Sequence, residues 1–166
     1  MIEIRKISSK NQEDISDLSI TIKKCFLDCY LKILPEEQLS YIFNFIQPKI
    51  LMEEISNDGY EYYFIEVDNV KVGFFELFKE MDSIEVKRLY LSDEFKYQGI
   101  GVDVFNEIKS IAKQQNARTI KLYVNQKLTN SIEIFKKWNF KIIKPSAIYI
   151  GSDYFLYDYL MEYSVN

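Results

Sequence analysis

The sequence predicts an α+β fold: a mixed, largely antiparallel central sheet flanked by helices. Three observations predict it. Short runs rich in Ile, Val, Phe and Tyr, several of them alternating apolar with polar residues, recur along the chain. Two such runs, 60–67 and 70–78, are separated only by Asp68-Asn69, a two-residue hairpin signal. Other segments repeat apolar residues at the helical period and interrupt the strands in the order β, helices, β-β-β, α, β, α, β-β.

Taken in order, residues 2–7 alternate as a first strand. Ile15, Leu18, Ile22, Phe26 and Cys29 then share one helix face. Pro35 and Pro48 read as first-turn prolines, and Glu36 and Glu37 favour a helix N-terminus, so two helices are expected before the Asn57-Asp58-Gly59 stop. After the hairpin, 84–91 is a strand and 99–115 a helix with Val104, Phe105, Ile108, Ile111 and Ala112 on one side. Residues 118–124 form a strand and 129–138 a helix. Residues 140–143 and 154–161 close the sheet. No linker, repeat or low-complexity segment divides the chain, so one domain over 1–166 is expected. At 166 residues it buries roughly two thirds of its unfolded surface without disulfides or metal.

Composition narrows the chemistry. The chain has no histidine, which excludes Ser-His-Asp and Cys-His catalysis and imidazole metal ligation. Any proton transfer falls to Glu, Asp, Tyr, Lys, Cys, a terminus or water. Cys25 and Cys29, four apart on one helix face, read as buried thiols; no metal is expected. Sparse cysteine suits a reducing cytoplasm. The first residues lack an apolar signal core, and no run of about 18 apolar residues points to a membrane span. Net charge is −4 and the pI about 5.0, with no basic stripe for nucleic acid. The acidic balance favours cationic small molecules.

The informative stretch is 86–102, VKRLYLSDEFKYQGIGV. A strand ends near Leu91, a polar turn follows, and Gln98-Gly99-Ile100-Gly101 opens a helix. Such a turn allows close approach by a ligand, and the unpaired first-turn N–H groups attract an anion, as a pyrophosphate site requires. Lys96 adds a cation. The glycines equally serve a tight strand-to-helix turn. The dinucleotide fingerprint is not met, because Val104 takes the third glycine position, and no Gly-Lys-Ser/Thr follows.

At these residues the sequence resembles the GNAT superfamily of N-acetyltransferases, from residue 84 to residue 140. Leu89-Tyr90-Leu91 is similar to the family's strand-end triplet. Lys96-Tyr97-Gln98-Gly99-Ile100-Gly101 is similar to its Arg/Gln-x-x-Gly-x-Gly/Ala loop, with Lys96 for the usual Arg or Gln. Residues 131–140, SIEIFKKWNF, are similar to its Ala-Ile-x-x-Tyr-x-Lys-x-Gly-Phe helix end, with Phe135 for Tyr and Asn139 for Gly. Leu128 stands where many members carry Asn. The resemblance implies a GNAT-like acyl-CoA fold and acetyl-CoA as cosubstrate. Backbone groups of Leu89, Tyr90 and Leu91 would hold the pantetheine arm. Lys96, Tyr97, Gln98, Gly99, Ile100, Gly101 and Val102 would hold the pyrophosphate, while Phe135 packs on the coenzyme and Lys137 reaches a phosphate.

The same resemblance implies direct attack of an amine on the thioester, with a strand N–H near Leu91 facing the developing oxyanion. Glu85 is the candidate base, through water; paired with Lys87 or Arg88 it would instead be an ordinary sheet carboxylate. Phe135 has no proton for the leaving thiolate, which leaves Tyr123 and Tyr149 as alternatives. The whole-chain pattern resembles the PaiA-like spermidine/spermine branch. This implies a polyamine or other small amine as acceptor, with Asp28, Glu53, Glu54 and Glu76 as cation contacts. A protein N-terminus or lysine is the alternative acceptor. An acyl-CoA-binding sensor without turnover is the alternative role. The resemblance also implies a homodimer, and the cysteine content a cytoplasmic location.

Overall fold

The structure, a computed structural model, describes residues 1–57 and 59–165. Asp58, in the expected 57–59 stop, lies outside the described residues. The elements run β1 (Ile2–Lys6), α1 (Gln12–Tyr30), α2 (Glu36–Phe43), α3 (Pro48–Ser56), β2 (Tyr60–Val67), β3 (Val70–Lys79), β4 (Ser83–Leu91), a 3-10 turn (Asp93–Phe95), α4 (Ile100–Gln114), β5 (Thr119–Asn125), α5 (Thr129–Lys137), β6 (Lys141–Gly151) and β7 (Tyr154–Ser164). This is the α+β class that the element order predicts. The chain forms two compact units. The first holds Met1–Phe78 and Arg88–Glu107; the second holds Lys79–Lys87 and the chain from Ile108 on.

In the first unit β1 pairs antiparallel with β2, and β2 with β3. Asp68 and Asn69 both take positive φ, 49° and 66°, which the hairpin turn requires and their short polar side chains tolerate. Asn11 caps α1, its side chain accepting from the Asp14 N–H at 3.1 Å. The buried face of α1 carries Ile15, Leu18 and Ile22, and Pro48 occupies the first turn of α3. Tyr62, Phe64, Phe74 and Phe75 are fully buried with Leu18, Ile22, Leu39 and Ile46 and form the centre of this core. An ionic network ties the sheet to α1. Arg5 donates to both Asp14 oxygens, at 2.7 and 3.1 Å, and to Glu66 at 2.8 Å, while Lys71 reaches Asp14 and Asp17.

Gly73, inside β3, marks a close approach. A Cβ there would sit 2.2 Å from the Tyr90 carbonyl oxygen and 3.1 Å from the Leu91 Cα. Glycine alone lets these backbones come so near.

In the second unit β4 and β5 form a parallel ladder from Ser83↔Thr119 to Val86↔Leu122, where it ends. β5 then pairs antiparallel with β7, and β7 with β6. The closing strands are longer than the sequence suggests. β6 runs from Lys141 to Gly151, not 140–143, and β7 runs on to Ser164. Pro145 disguises β6, but β6 is the last strand in the sheet order, and an edge strand accepts proline because it needs no N–H on its outer side. Ser152 and Asp153, at φ 49° and 62°, make a second two-residue hairpin turn.

Candidate active site

In the first unit the strand end of β4 leads into the turn before α4. Arg88 donates to Glu76 and, at 3.3 Å, to the Tyr62 hydroxyl, which itself donates to Glu54 Oε2 at 2.6 Å. Burial works against the Arg88 charge, but Glu76, Tyr62 and Glu54 outweigh it and hold its pKa above the ordinary value. Burial first, then Glu76, pushes the Tyr62 hydroxyl up as well. Glu76 is 1% exposed and already carries Arg88, so the expected Glu76 cation contact is met by the chain's own guanidinium.

Tyr90, also buried, donates to Asp28 Oδ2 at 2.8 Å, and burial followed by Asp28 raises its pKa. Cys25 and Cys29 flank this contact on α1. Both are half-buried rather than buried, as the helix spacing had suggested. The hydrogen bond between the thiols, with burial, pushes Cys25 up; the same bond, helped by Lys96, draws Cys29 down. Among the described residues no group of three or more Cys, Asp or Glu side chains is placed to hold a metal.

The turn itself is open. Lys96 pairs with the exposed Asp93, its ammonium 6.0 Å from the Tyr90 ring centre. The Lys96 N–H closes the 3-10 turn on the Asp93 carbonyl, and the Val102 N–H turns back to the Gly99 carbonyl at 2.9 Å. Between them, the N–H groups of Tyr97, Gln98, Gly99, Ile100 and Gly101 donate to none of the described residues. Tyr97 and Gly99 take positive φ, 65° and 86°, and a Cβ on Gly99 would meet nothing within 4 Å. The glycine is thus required by conformation and not by packing. Five open donors at the start of a 15-residue helix fit a diphosphate. Ile100 is buried and fixes the turn to the core, whereas Tyr97, Gln98 and Val102 are exposed.

In the second unit Glu85 lies half-buried on β4, its Oε1 3.3 Å from the Lys87 ammonium. Phe135 of α5 packs edge-on against Trp138 and Phe140, each centroid 5.7 Å away. Lys137 is exposed in the last helical turn, and Asn139 takes φ 68°, the left-handed position where a glycine would otherwise stand. Beside the end of β5 lies a pair that sequence reasoning missed. Asn125 and Asp158 face each other across β5 and β7 and are 4% and 7% exposed. Burial lifts the Asp158 pKa to about 6, partly offset by the Asn125 hydrogen bond. The available signal was a lone acid in an otherwise aromatic and aliphatic run, FLYDYLM. Arg88 and Tyr62 gave none, because a strand residue shows its partner only once strands are paired.

Comparison with known proteins bears on the chain as a whole. A family model described as the acetyltransferase (GNAT) domain matches residues 30–158, more than half of the chain. Spermidine N(1)-acetyltransferase of Thermoplasma acidophilum is 28% identical over 163 residues, which cover 93% of this chain and 95% of that protein. The crystal structure of the PaiA N-acetyltransferase from Thermoplasma acidophilum in complex with coenzyme A matches with a TM-score of 0.81, at 28% identity, over 99% of each chain. A probable acetyltransferase from Staphylococcus epidermidis, only 17% identical, shares the fold with a TM-score of 0.77 over the whole of both chains.

Proposed function

The chain belongs to the GNAT family of acetyltransferases, and from that premise we propose that its acceptor is a small primary amine, a polyamine foremost. As a family member it is an N-acetyltransferase that takes its acetyl group from acetyl-CoA. The observation that carries the reading is the run of five open N–H groups from Tyr97 to Gly101. In this reading those donors and the Val102 turn hold the pyrophosphate, and Lys96 adds its charge. The β4–β5 ladder ends at Val86, which supports main-chain groups of Leu89, Tyr90 and Leu91 as partners for pantetheine amides. Phe135 packs on the coenzyme arm and Lys137 reaches a phosphate.

Bound acetyl-CoA supplies a thioester-activated acetyl group and a thiol leaving group. Glu85, half-buried on β4 with its Oε1 3.3 Å from the Lys87 ammonium, is the proposed proton acceptor for the amine, through water. The likeness to a spermidine acetyltransferase and the net charge of −4 favour a cationic acceptor. We place the enzyme in the cytoplasm as a homodimer. Support for the dimer comes from β6, an eleven-residue edge strand, and from Tyr149, Phe155 and Tyr157, which are 59%, 41% and 60% exposed on the β6–β7 hairpin.

The test is a calorimetric titration with acetyl-CoA, followed by a panel of polyamines, amino acids and peptides scored by release of free coenzyme thiol. Saturable 1:1 binding and thiol release with spermidine are expected. Folded, coenzyme-free protein that binds no acetyl-CoA would remove the reading, and turnover with peptides alone would replace the polyamine by a protein acceptor. Sedimentation at micromolar concentration checks the dimer.

A further inference from the structure

Asp158 presents an anomaly that the coenzyme site does not use. Its Oδ1 is buried and has no hydrogen-bond partner among the described residues, while the carboxylate accepts a hydrogen bond from the Asn125 side chain. Asn125 in turn is locked by the Lys127 N–H, which donates to its Oδ1 at 3.0 Å, so its amide is aimed at Asp158. The Gln126 side chain binds the Asp158 carbonyl and the Gln126 N–H binds the Tyr157 carbonyl, which pin the two strands together at this point. An acid in this setting normally pairs with a cation. None of the described lysines or arginines does so. On the same side of the sheet the register brings Tyr123 and Leu160 next to the pair, and Ser146 and the exposed Lys144 from β6; Lys144 forms no ion pair with it.

The position matters as much as the missing partner. Asn125 is the last residue of β5, three beyond the point where the parallel β4–β5 ladder stops. Where two parallel strands part, their facing main-chain groups lose each other as partners and a ligand can enter between them. Glu85 and Lys121 are register partners on these strands, and alternation puts Tyr123 and Asn125 on the Lys121 side. Asp158 therefore shares a sheet face with the proposed proton acceptor.

We infer that the free oxygen of Asp158, oriented by Asn125, is the anionic contact for an ammonium group of the acceptor. This rests on the amine-acetyltransferase reading and gives it a named recognition residue. The absent cation is then the substrate's own. An unfilled carboxylate that burial has made harder to ionise regains a partner when the amine enters. The raised Asp158 pKa adds a pH signature: the anion that the amine needs disappears below about 6.

The experiment is calorimetric titration of spermidine into the coenzyme A-bound protein, for the wild type and Asp158→Asn, with coenzyme A affinity and melting temperature measured alongside. Asp158→Asn keeps the shape and the Asn125 contact. It is expected to weaken spermidine binding tenfold or more, to leave coenzyme A affinity within twofold, and not to lower the melting temperature. Wild-type spermidine affinity is expected to fall as pH drops through 6, a readout that needs no variant. Equal spermidine affinity in both proteins, or wild-type binding flat from pH 7 to pH 5, overturns the inference and assigns the buried oxygen to a water. Wild-type protein that binds no amine overturns it also. Failure to bind coenzyme A is a different result, which removes the acetyltransferase reading itself, and acetyl transfer that is insensitive to Asp158 removes only the recognition role.

Discussion

At the scale of single residues, conformation and contact separate clearly. Gly99 has open space where a Cβ would go, but its φ of 86° suits only glycine well. A β-branched residue pays a strain of order 1–3 kcal/mol in such a conformation, and its side chain would crowd whatever the five N–H groups hold. Gly99→Val is therefore expected to weaken acetyl-CoA binding by at least tenfold in a calorimeter while the far-UV circular dichroism spectrum stays native. Phe135 makes the opposite case. It lies among Trp138 and Phe140 and has no proton to give. A thiol with a pKa of about 8.5 leaves as thiolate without much help, so Phe135→Tyr is expected to change kcat by less than about tenfold. A gain of about 10²-fold or more, the usual worth of a proton donor, would mean that the natural chain is handicapped at this step. The residues that carry the family resemblance were legible because they are contiguous in sequence. Asp158 and Asn125, 33 positions apart, were not, because only strand register brings them together.

At the scale of elements, the ionic network of Arg5, Asp14, Glu66 and Lys71 holds β1, β2 and β3 to α1. Asp14 is 4% exposed, and Arg5 foremost, with Lys71, draws its pKa below the usual 3.8. For a carboxylate with a lowered folded pKa, the stabilisation is complete above the unfolded value and is lost as pH falls through the folded one. Asp14→Asn is expected to cost about 1–2 kcal/mol in urea unfolding at pH 7, because charge-assisted hydrogen bonds are lost while Arg5 and Lys71 stay partly exposed and keep Glu66 and Asp17. The difference from wild type should shrink as pH falls below about 4, where the unfolded wild-type carboxylate is itself protonated. Local signals served the elements well wherever they are local: the Asp68-Asn69 turn, Pro48 in a first turn, the apolar face of α4. They failed at β6, whose exposed residues and Pro145 give neither a clean alternation nor a core. What makes it a strand is β7 beside it.

At the scale of the whole molecule, the order of elements was enough for the fold class, because an α+β chain of this size has few ways to cover both faces of a sheet. It was not enough for strand order: nothing in the sequence says that β7 comes between β5 and β6. β4 and α4 each contribute residues to both compact units, so we propose that residues 1–166 unfold as one N-acetyltransferase domain. The expected observation is a single calorimetric transition with equal van't Hoff and calorimetric enthalpies. Acetyl-CoA at about 100 times its Kd should add about 2.7 kcal/mol, which for a chain of this length moves the transition up by roughly 5–10 °C. Two resolved transitions, with the coenzyme shifting only one, would divide the chain instead.

Position 73 has a consequence for sequence space. A Cβ there collides with backbone, the Tyr90 carbonyl, and no rotamer change can relieve a collision with main chain. In a library carrying all twenty residues at that codon, selection for folded protein alone, with no demand for catalysis, should return glycine. The invariance would record where two main chains touch, and a reader of an alignment who took it for a mark of the active site would be misled.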